Sequence, residues 1–282
     1  MKPKYLRAFV ALLLVTLLIS AAAHAAAVGR FTLVEGQVDL LKQGKIPAAA
    51  ARLNDGVEPG DVIRTKSKSK AQVKFVDDSF VTMAPESRIA VADFTYDAAN
   101  GERRAVLRFF KGVMHTLVTR VQQVQQPDFL METHTAVLGV RGSEAYTVQM
   151  PNVTGAYSMS GLWEVSSNNR QIPEKARLGA DEFIMVPLNQ PLGRIQKITP
   201  PMKEMLKVLM DTGLKDSAFW GVGGGAGLGS GKQIFDILGF PGGPELPAIP
   251  PKLVPQVAPT PAQPQRGPTP SPSPGITPGP IN

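Results

Sequence analysis

Apolar and polar residues alternate in short runs through the middle of the chain, from Gly56 to Val148, and Gly, Asp and Pro separate these runs. A period of two places successive side chains on opposite faces of an extended strand. The clearest run ends at Phe75, and its polar positions are Lys66, Lys68, Lys70, Gln72 and Lys74. This pattern predicts one strand over residues 66–75 with every basic side chain on the same face.

Residues with special backbone preferences mark the turns between the runs. Pro59 presets φ and Gly60 accepts a positive φ, so the segment Glu58–Asp61 predicts a tight turn. Asp78 predicts a hairpin, because Asp tolerates the left-handed conformation. The other predicted strands and hairpins are Gly36–Leu41, Ser87–Phe94, a hairpin at Asn100-Gly101, Ala105–Phe109 closed by Lys111-Gly112, Phe129–His134, Ala145–Gln149 and runs within Tyr157–Val186.

Two segments fit more than one structure. The Ala-rich stretch Pro47–Leu53 fits either a loop or a short helical turn. His115–Val124 fits a strand, but Leu117, Val118 and Val121 also have the spacing of a helical turn.

One segment, Thr199–Phe219, has clear helical spacing. Proline is tolerated in a first helical turn, as at Pro200 and Pro201, and Gly213 ends or interrupts the helix. One face carries an apolar stripe made of Met202, Met205, Leu206, Leu209 and Met210. We interpret the stripe as the face that docks on the β domain; the alternative is a methionine-rich surface that fills a groove in a partner.

The two ends of the chain differ from the centre in composition. Residues 1–25 combine a basic start, an apolar run and the sequence Ala-His-Ala, which predicts a cleaved secretory signal peptide, with an uncleaved inner-membrane anchor as the alternative. Residues 241–282 contain 15 prolines, which predicts an extended, disordered tail. The predicted order is signal peptide 1–25, β domain 26–198, amphipathic helix 199–220, Gly-rich linker 221–240 and Pro-rich tail 241–282.

Charge and cysteine content narrow the classes of partner. The chain has a formal net charge of +7, which falls to +4 without Lys2, Lys4 and Arg7 of the predicted signal peptide. This mild excess allows weak contact with anionic surfaces, and it predicts no nucleic-acid binding. The absence of Cys excludes disulfides and thiolate metal sites.

The usual catalytic and metal-binding patterns are not recognisable in the sequence. His115 and His134 lack partners at zinc-ligand spacing, and Ser143 lies outside a Gly-x-Ser-x-Gly elbow. The turn residues Asp61, Asp77 and Asp78 are explained by backbone preference. The Gly-rich stretch 223–227 lacks the Gly-Lys-Ser/Thr ending of a phosphate loop. We therefore expect no catalytic residue, no metal and no cofactor.

Five basic residues are candidate ligand contacts. Arg141 stands between two glycines. Its guanidinium either has a structural role, in which it bonds loop carbonyls or pairs with Glu144 or Asp61, or it contacts a ligand. The predicted basic strand face, with Lys66, Lys68, Lys70 and Lys74, is either a solvated face or a site for an anionic glycan.

Four short motifs together resemble the FecR domain family. They are Gly-Val-Glu-Pro-Gly-Asp-Val-Ile-Arg-Thr (56–65), Val-Asp-Asp-Ser-Phe (76–80), Lys-Gly-Val (111–113) and Leu-Gly-Val-Arg-Gly-Ser (138–143), within a resemblance that spans roughly residues 29–165. Asp78 replaces a Gly of the family pattern, and Ser143 replaces a Thr. The motif residues for which we expect a structural role are Gly60, Asp61, Arg64, Thr65, Asp77, Ser79, Gly112, Gly139, Arg141, Gly142 and Ser143.

The resemblance implies an all-β, non-enzymatic sensing module outside the cytoplasm, with envelope proteins as partners. Together with the signal peptide it leads us to expect a mainly β fold of short stacked strands, β-helix-like or sandwich-like, in the periplasm or secreted. The expected function is recognition of, or signalling through, envelope proteins or polysaccharide. Only seven residues precede the apolar run of the signal, so we do not carry over the cytoplasmic anti-sigma part of FecR regulators. The alternatives are a structural surface or cell-wall protein with a Pro-rich spacer, and a hydrolase with dispersed carboxylates.

Overall fold

The structure is a computed structural model, and it describes residues 26–121, 127–140, 142–216 and 237–240. These residues form a mainly β fold, as the sequence predicts. The strands are β1 (Gly29–Glu35), β2 (Val38–Leu41), β3 (Ala49–Ala50), β4 (Gly56–Val57), β5 (Val62–Thr65), β6 (Lys70–Phe75), β7 (Phe80–Met83), β8 (Arg88–Asp97), β9 (Glu102–Val118), β10 (Phe129–Glu132), β11 (Ala136–Val140), β12 (Ser143–Met150), β13 (Val153–Ser160), β14 (Trp163–Ser167), β15 (Lys175–Leu178), β16 (Glu182–Pro187) and β17 (Gln196–Lys197). A short 3₁₀ turn (Lys42–Gly44) follows β2, and helix α1 (Pro200–Asp216) follows β17.

The strands form two sheets that share strand β9. Sheet A has the order β4-β1-β6-β7-β9-β12-β13-β16-β17, and sheet B has the order β3-β2-β5-β8-β9-β10-β11-β14-β15. The pairs are antiparallel except β9–β10. Successive hairpins after β5 alternate between the sheets, and the sandwich-like alternative therefore describes this fold.

The main core lies between the two sheets. Buried residues from both sheets form one cluster, and Phe75 of β6 stacks on Phe94 of β8 with ring centroids 4.7 Å apart. Alternate residues of β6 are buried, as the period of two predicts: Ala71, Val73 and Phe75 point into the core. Contact between the sheets therefore explains why the apolar positions alternate.

Helix α1 covers part of the outer face of sheet A. Four of the five predicted stripe residues (Met202, Leu206, Leu209 and Met210) are buried there, against sheet residues such as Tyr157 and Phe183. The interpretation of the stripe as a docking face is confirmed. Gly213 has a positive φ and interrupts the helix, as its position predicts. Lys70 of β6 and Asp211 of the helix add an ion pair of 2.8 Å.

A short turn at residues 237–240 also packs on this face. Leu238 and Phe240 are buried in the same cluster as the helix stripe. The Tyr157 hydroxyl donates a hydrogen bond of 2.8 Å to the Leu238 carbonyl, and burial raises the pKa of Tyr157 well above its usual value. These four residues belong to the range predicted as a Gly-rich linker, and their apolar side chains explain why they are packed.

The predicted basic strand is wrong in its first half. Strand β6 begins at Lys70, and residues 66–69 form the turn that leads to it from β5. Lys68 has a positive φ of 52° in that turn. Alternation alone could not show this, because Ser and Lys also suit a turn.

Strand β9 extends beyond its predicted end at Lys111-Gly112. Residues 102–111 pair with β8 in sheet B, and residues 112–118 pair with β12 in sheet A. The ambiguous segment is therefore a strand up to Val118, and residues 122–126 lie outside the described residues. The other ambiguous segment, Pro47–Leu53, holds the two-residue strand β3 and no helical turn.

Replacing Gly112 by Ala should destabilise the domain, because strand β9 passes between the sheets at this residue. Gly112 has φ +107°, and an added Cβ would lie 2.1 Å from Ser87 Oγ and 2.7 Å from Ser87 Cα. Strain and overpacking together are expected to lower the free energy of unfolding by about 2–4 kcal/mol in urea denaturation.

Gly179→Ala is the matched control. Its added Cβ would meet only the Glu182 carboxylate at an ordinary 3.5 Å, so a change within about 1 kcal/mol is expected. Equal stability of Gly112→Ala and the wild type would contradict the tight crossing.

The predicted signal peptide (1–25) and Pro-rich tail (241–282) lie outside the described residues, as does most of the predicted linker. Among the residues that the structure does describe, no helix is both long and apolar enough to cross a membrane.

Candidate binding surface

The outer face of sheet A is only partly covered by helix α1. The covered part includes Val113, Val148 and Met185, whereas Leu117 keeps 45% of its surface exposed. We call the uncovered part the open strip. It consists of side chains that lie in two register rows across β1, β6, β7, β9 and β12: Arg30, Lys74, Phe80, Leu117 and Glu144 in one row, and Gln72, Thr82, His115 and Tyr146 in the other.

An aromatic pair lies at one end of the strip. The rings of His115 and Tyr146 are neighbours across β9 and β12, with centroids 4.5 Å apart. His115 Nε2 lies 2.9 Å from a Glu144 carboxylate oxygen, so this hydrogen bond orients the imidazole ring. Burial and the negative charge of Glu144 raise the pKa of Tyr146, which therefore keeps a neutral hydroxyl at ordinary pH.

Uncharged polar groups lie beside these rings. The Gln72 side-chain amide donates a hydrogen bond of 2.9 Å to the Thr82 hydroxyl, and its Oε1 accepts one of 2.9 Å from the Thr32 hydroxyl. Both the nitrogen and the oxygen of this side-chain amide are therefore held by hydrogen bonds. The strip thus combines rigid rings with oriented hydrogen-bonding groups.

Basic residues and a cleft lie at the other end. Arg30 of β1 and Lys74 of β6 are direct cross-strand partners. Lys74 forms an ion pair of 2.7 Å with Asp78 and lies 5.6 Å from the centre of the Phe80 ring. A cleft of about 410 Å³ opens here, lined by Ala27, Gly29, Arg30, Asn54, Gly56, Lys74, Phe75, Val76 and Asp78.

The four predicted ligand-binding lysines do not share one surface. Lys74 belongs to the open strip, whereas Lys70 pairs with Asp211 of helix α1 and Lys68 lies at an exposed turn. Lys66 pairs with Asp39, 3.0 Å away on sheet B. A single basic face made of all four side chains is therefore wrong, and Lys74 is the member that lines the cleft.

Residues 61–156 match the family model described as FecR protein. This part of the chain is a FecR domain. The predicted resemblance is confirmed for that range. A search of the curated proteins finds no match.

Two crystal structures of a candidate anti-sigma factor from Parabacteroides distasonis, at 2.50 Å and 1.65 Å resolution, are similar to this chain with TM-scores of 0.38 and 0.37. Each shares 20% sequence identity with it, and each match covers 48% of this chain and 58% of the other. The chain therefore spans less than two thirds of those proteins. Scores of this size do not establish a common fold.

The first motif of the FecR domain closes a turn over a buried carboxylate. Gly60 has φ 91°, and the buried Asp61 accepts hydrogen bonds from the Gln43 and Glu58 backbone N–H groups and from Lys42. Burial disfavours the charge of Lys42, but its hydrogen bonds to Asp61 and Glu58 outweigh this and raise its pKa. The expected structural role of Gly60 and Asp61 fits these contacts.

The end of the same motif connects β5 to its neighbour β2 and to the turn that precedes β8. Arg64 pairs with Asp39 at 2.7 Å, and the Thr65 hydroxyl donates to the Ala84 carbonyl and accepts from the Ser87 N–H. Burial disfavours the charge of Asp39, but Lys66 and Arg64 outweigh it, so the pKa of Asp39 lies below its usual value.

The second motif of the FecR domain belongs to a buried ion network. Asp77 and the Arg103 guanidinium are 2.6 Å apart with both side chains fully buried. Arg103 also binds Asp128 at 2.7 Å, while the Ser79 hydroxyl donates to Asp77. The sequence explained Asp77 by backbone preference alone and missed Arg103, because a partner 26 residues away leaves no local pattern.

The last motif surrounds a residue that the structure does not describe. Arg141 lies outside the described residues, and its two proposed carboxylate partners have other contacts: Glu144 with His115 and Asp61 with Lys42. Glycine is required at positions 139 and 142, on either side of Arg141. A Cβ added at Gly139 would lie 2.8 Å from Pro127, and one added at Gly142 would lie 2.4 Å from Arg120. The Ser143 hydroxyl is buried and makes no hydrogen bond within the described chain.

The two histidines of the described chain lie in different surroundings. His134 is exposed at a turn, and His115 is held by Glu144. Over the described ranges, no group of three or more His, Asp or Glu residues is arranged to hold a metal ion. Hydrogen bonding, ring stacking and charge pairing are the interactions that these side chains offer.

Proposed function

We propose that this protein is a non-catalytic extracytoplasmic recognition module that binds envelope polysaccharide on the open strip. A FecR domain implies a signalling or regulatory module, and the family is non-enzymatic and generally extracytoplasmic or membrane-associated. The predicted signal peptide supports the same location. Ligand occupancy of the strip is then the event that the module reports.

The observation that carries this proposal is the composition of the open strip. A sugar ring has an apolar face that stacks on an aromatic ring, and hydroxyl groups that need hydrogen-bonding partners at its edge. The rings of His115 and Tyr146 share a register row with Thr82, whose hydroxyl accepts a hydrogen bond from the Gln72 amide, and Phe80 and Leu117 extend the apolar surface. A flat sheet can hold several such contacts along one polymer chain.

The polar pair on the strip supports a binding role over a catalytic one. His115 and Glu144 are close enough for proton transfer, but they lie on an open sheet surface that does not exclude water. No Ser or Thr hydroxyl is hydrogen-bonded to His115 among the described residues. The pair is therefore best explained as a way to orient the ring.

Replacing Tyr146 by Ala should weaken polysaccharide binding about tenfold, which corresponds to roughly 1.4 kcal/mol of lost stacking and burial. The measurement is affinity electrophoresis of residues 26–282 in gels that contain dextran, polygalacturonate or its methyl ester. Phe80→Ala, in the middle of the strip, should act in the same direction.

The matched control is Phe110→Ala, because Phe110 is 44% exposed on strand β9 outside the open strip, where Arg88 lies 4.8 Å from its ring centre. Its mobility shift should equal that of the wild type. Failure of every polysaccharide to retard the wild type, or equal retardation of Tyr146→Ala, would contradict the proposal. Thermal melts of each variant separate lost binding from lost folding.

A further inference from the structure

Two positive charges face each other directly at the cleft end of the open strip. Arg30 and Lys74 are cross-strand partners in β1 and β6, so their Cα atoms are roughly 5 Å apart. Like charges in this position destabilise a sheet. An arrangement that opposes folding is typical of a site that has another task.

The two charges are incompletely neutralised. Lys74 pairs with Asp78, whereas Arg30 has no carboxylate partner among the described residues. The Asp78 side chain is 71% exposed, and ion pairs this exposed are weak and easily exchanged. An incoming anion can therefore replace Asp78 on Lys74 and neutralise Arg30 at the same time.

The cleft has the size and lining of a ligand site. Its volume of about 410 Å³ lies within the range of small-ligand pockets, roughly 300–1,000 Å³. Gly29 and Gly56 add no side chain to its wall, and Asn54 supplies a side-chain amide. The Phe80 ring next to Lys74 connects the cleft to the apolar part of the strip.

We propose that the Arg30–Lys74 cleft binds the anionic group of an acidic sugar, either a carboxylate or a phosphate. This inference rests on the proposed function, since the cleft is one end of the same strip. The inference names acidic polysaccharide, rather than neutral polysaccharide, as the class of ligand. The guanidinium of Arg30 offers paired N–H donors to the two oxygens of such a group, and Lys74 adds a point charge.

The test compares polygalacturonate with its methyl ester, which removes the charge and keeps the sugar chain. Wild-type residues 26–282 should bind the acid form at least tenfold more tightly at low salt in isothermal titration calorimetry. Arg30→Gln should reduce that preference to less than threefold, while binding of the methyl ester is unchanged. Its melting temperature should equal or exceed that of the wild type, because the like-charge contact is gone.

Asp78→Asn is a gain-of-binding variant. Asp78 has a positive φ of 62°, which Asn also tolerates, so this change keeps the turn. Removing the competing carboxylate should tighten binding of the acid form about twofold to fivefold. The matched control Arg108→Gln, on sheet B beside Glu132, should leave the preference unchanged.

Competition with free acetate and free inorganic phosphate distinguishes the two sources of negative charge. The stronger competitor identifies the anionic group that the cleft prefers. Either result supports an anion site if Arg30→Gln abolishes the competition. Equal binding of acid and ester forms by the wild type would overturn the anion site and leave the proposed function standing. If neither the acid form nor the methyl ester binds, both the anion site and the proposed function are contradicted.

Discussion

Replacing Arg103 by Met is expected to lower the free energy of unfolding by about 3–5 kcal/mol. The guanidinium is fully buried between Asp77 and Asp128, and its distances to their oxygens are 2.6 Å and 2.7 Å. Met fills a similar volume, but it leaves two carboxylates in the interior without a cation. The cost comes from these unpaired charges rather than from lost packing.

The effect should also be visible in the chain segments that Arg103 joins. Its guanidinium donates to the Thr119 carbonyl at 2.9 Å as well as to Asp128, and these residues flank the segment 120–127. The same side chain lies 5.5 Å from the centre of the Phe129 ring. Amide hydrogen exchange near Thr119 and Asp128 should therefore increase more than exchange in strand β13.

The neighbouring residue supplies the control for this prediction. Arg104 is 75% exposed and pairs with Asp93 at 2.9 Å, so Arg104→Met should change stability by less than about 1 kcal/mol. Urea unfolding of the two variants at pH 7 gives the comparison. If the free energy of unfolding falls by the same small amount in both variants, the buried network does not stabilise the fold.

Replacing Val73 by Asp should unfold the domain. Val73 is 1% exposed, and it lies between Phe31 of β1 and Val81 of β7 in the core that the two sheets share. A carboxylate there would have no partner, and an unpaired buried charge costs several kcal/mol, about as much as the whole stability of many domains. Circular dichroism should show loss of the cooperative melt.

The same substitution three residues later gives the contrast. Val76 is 52% exposed in the turn after β6, so Val76→Asp should melt within a few degrees of the wild type. An unchanged melting temperature for Val73→Asp would mean that the two faces of β6 are assigned the wrong way round.

Local rules accounted for most elements of the fold. Alternation identified the buried face of β6, and the left-handed tolerance of Asp78 identified the hairpin that follows, where φ is 62°. The helical stripe identified the buried face of α1. Each of these properties depends on residues close together in the chain, which is why the sequence alone could predict them.

Local rules failed where one pattern fits two structures. Lys66 and Lys68 continue the alternation of β6, yet they belong to the turn before it. Strand β9 continues past Gly112, although Gly usually closes a strand, because here a positive φ carries the chain from one sheet to the other. A second sheet must be present before that conformation is favourable.

The mainly β character, the positions of the main turns and the amphipathic helix could be predicted from the sequence, because periodicity and backbone preference act over a few residues. The short motifs carried the FecR resemblance. The contacts between distant side chains became visible only in the folded chain. Lys70 and its partner Asp211 are 141 residues apart, and the paired cations of Arg30 and Lys74 meet only through the register of β1 and β6. Binding surfaces are made of such distant contacts, and their free energy depends on burial and register that no local pattern records.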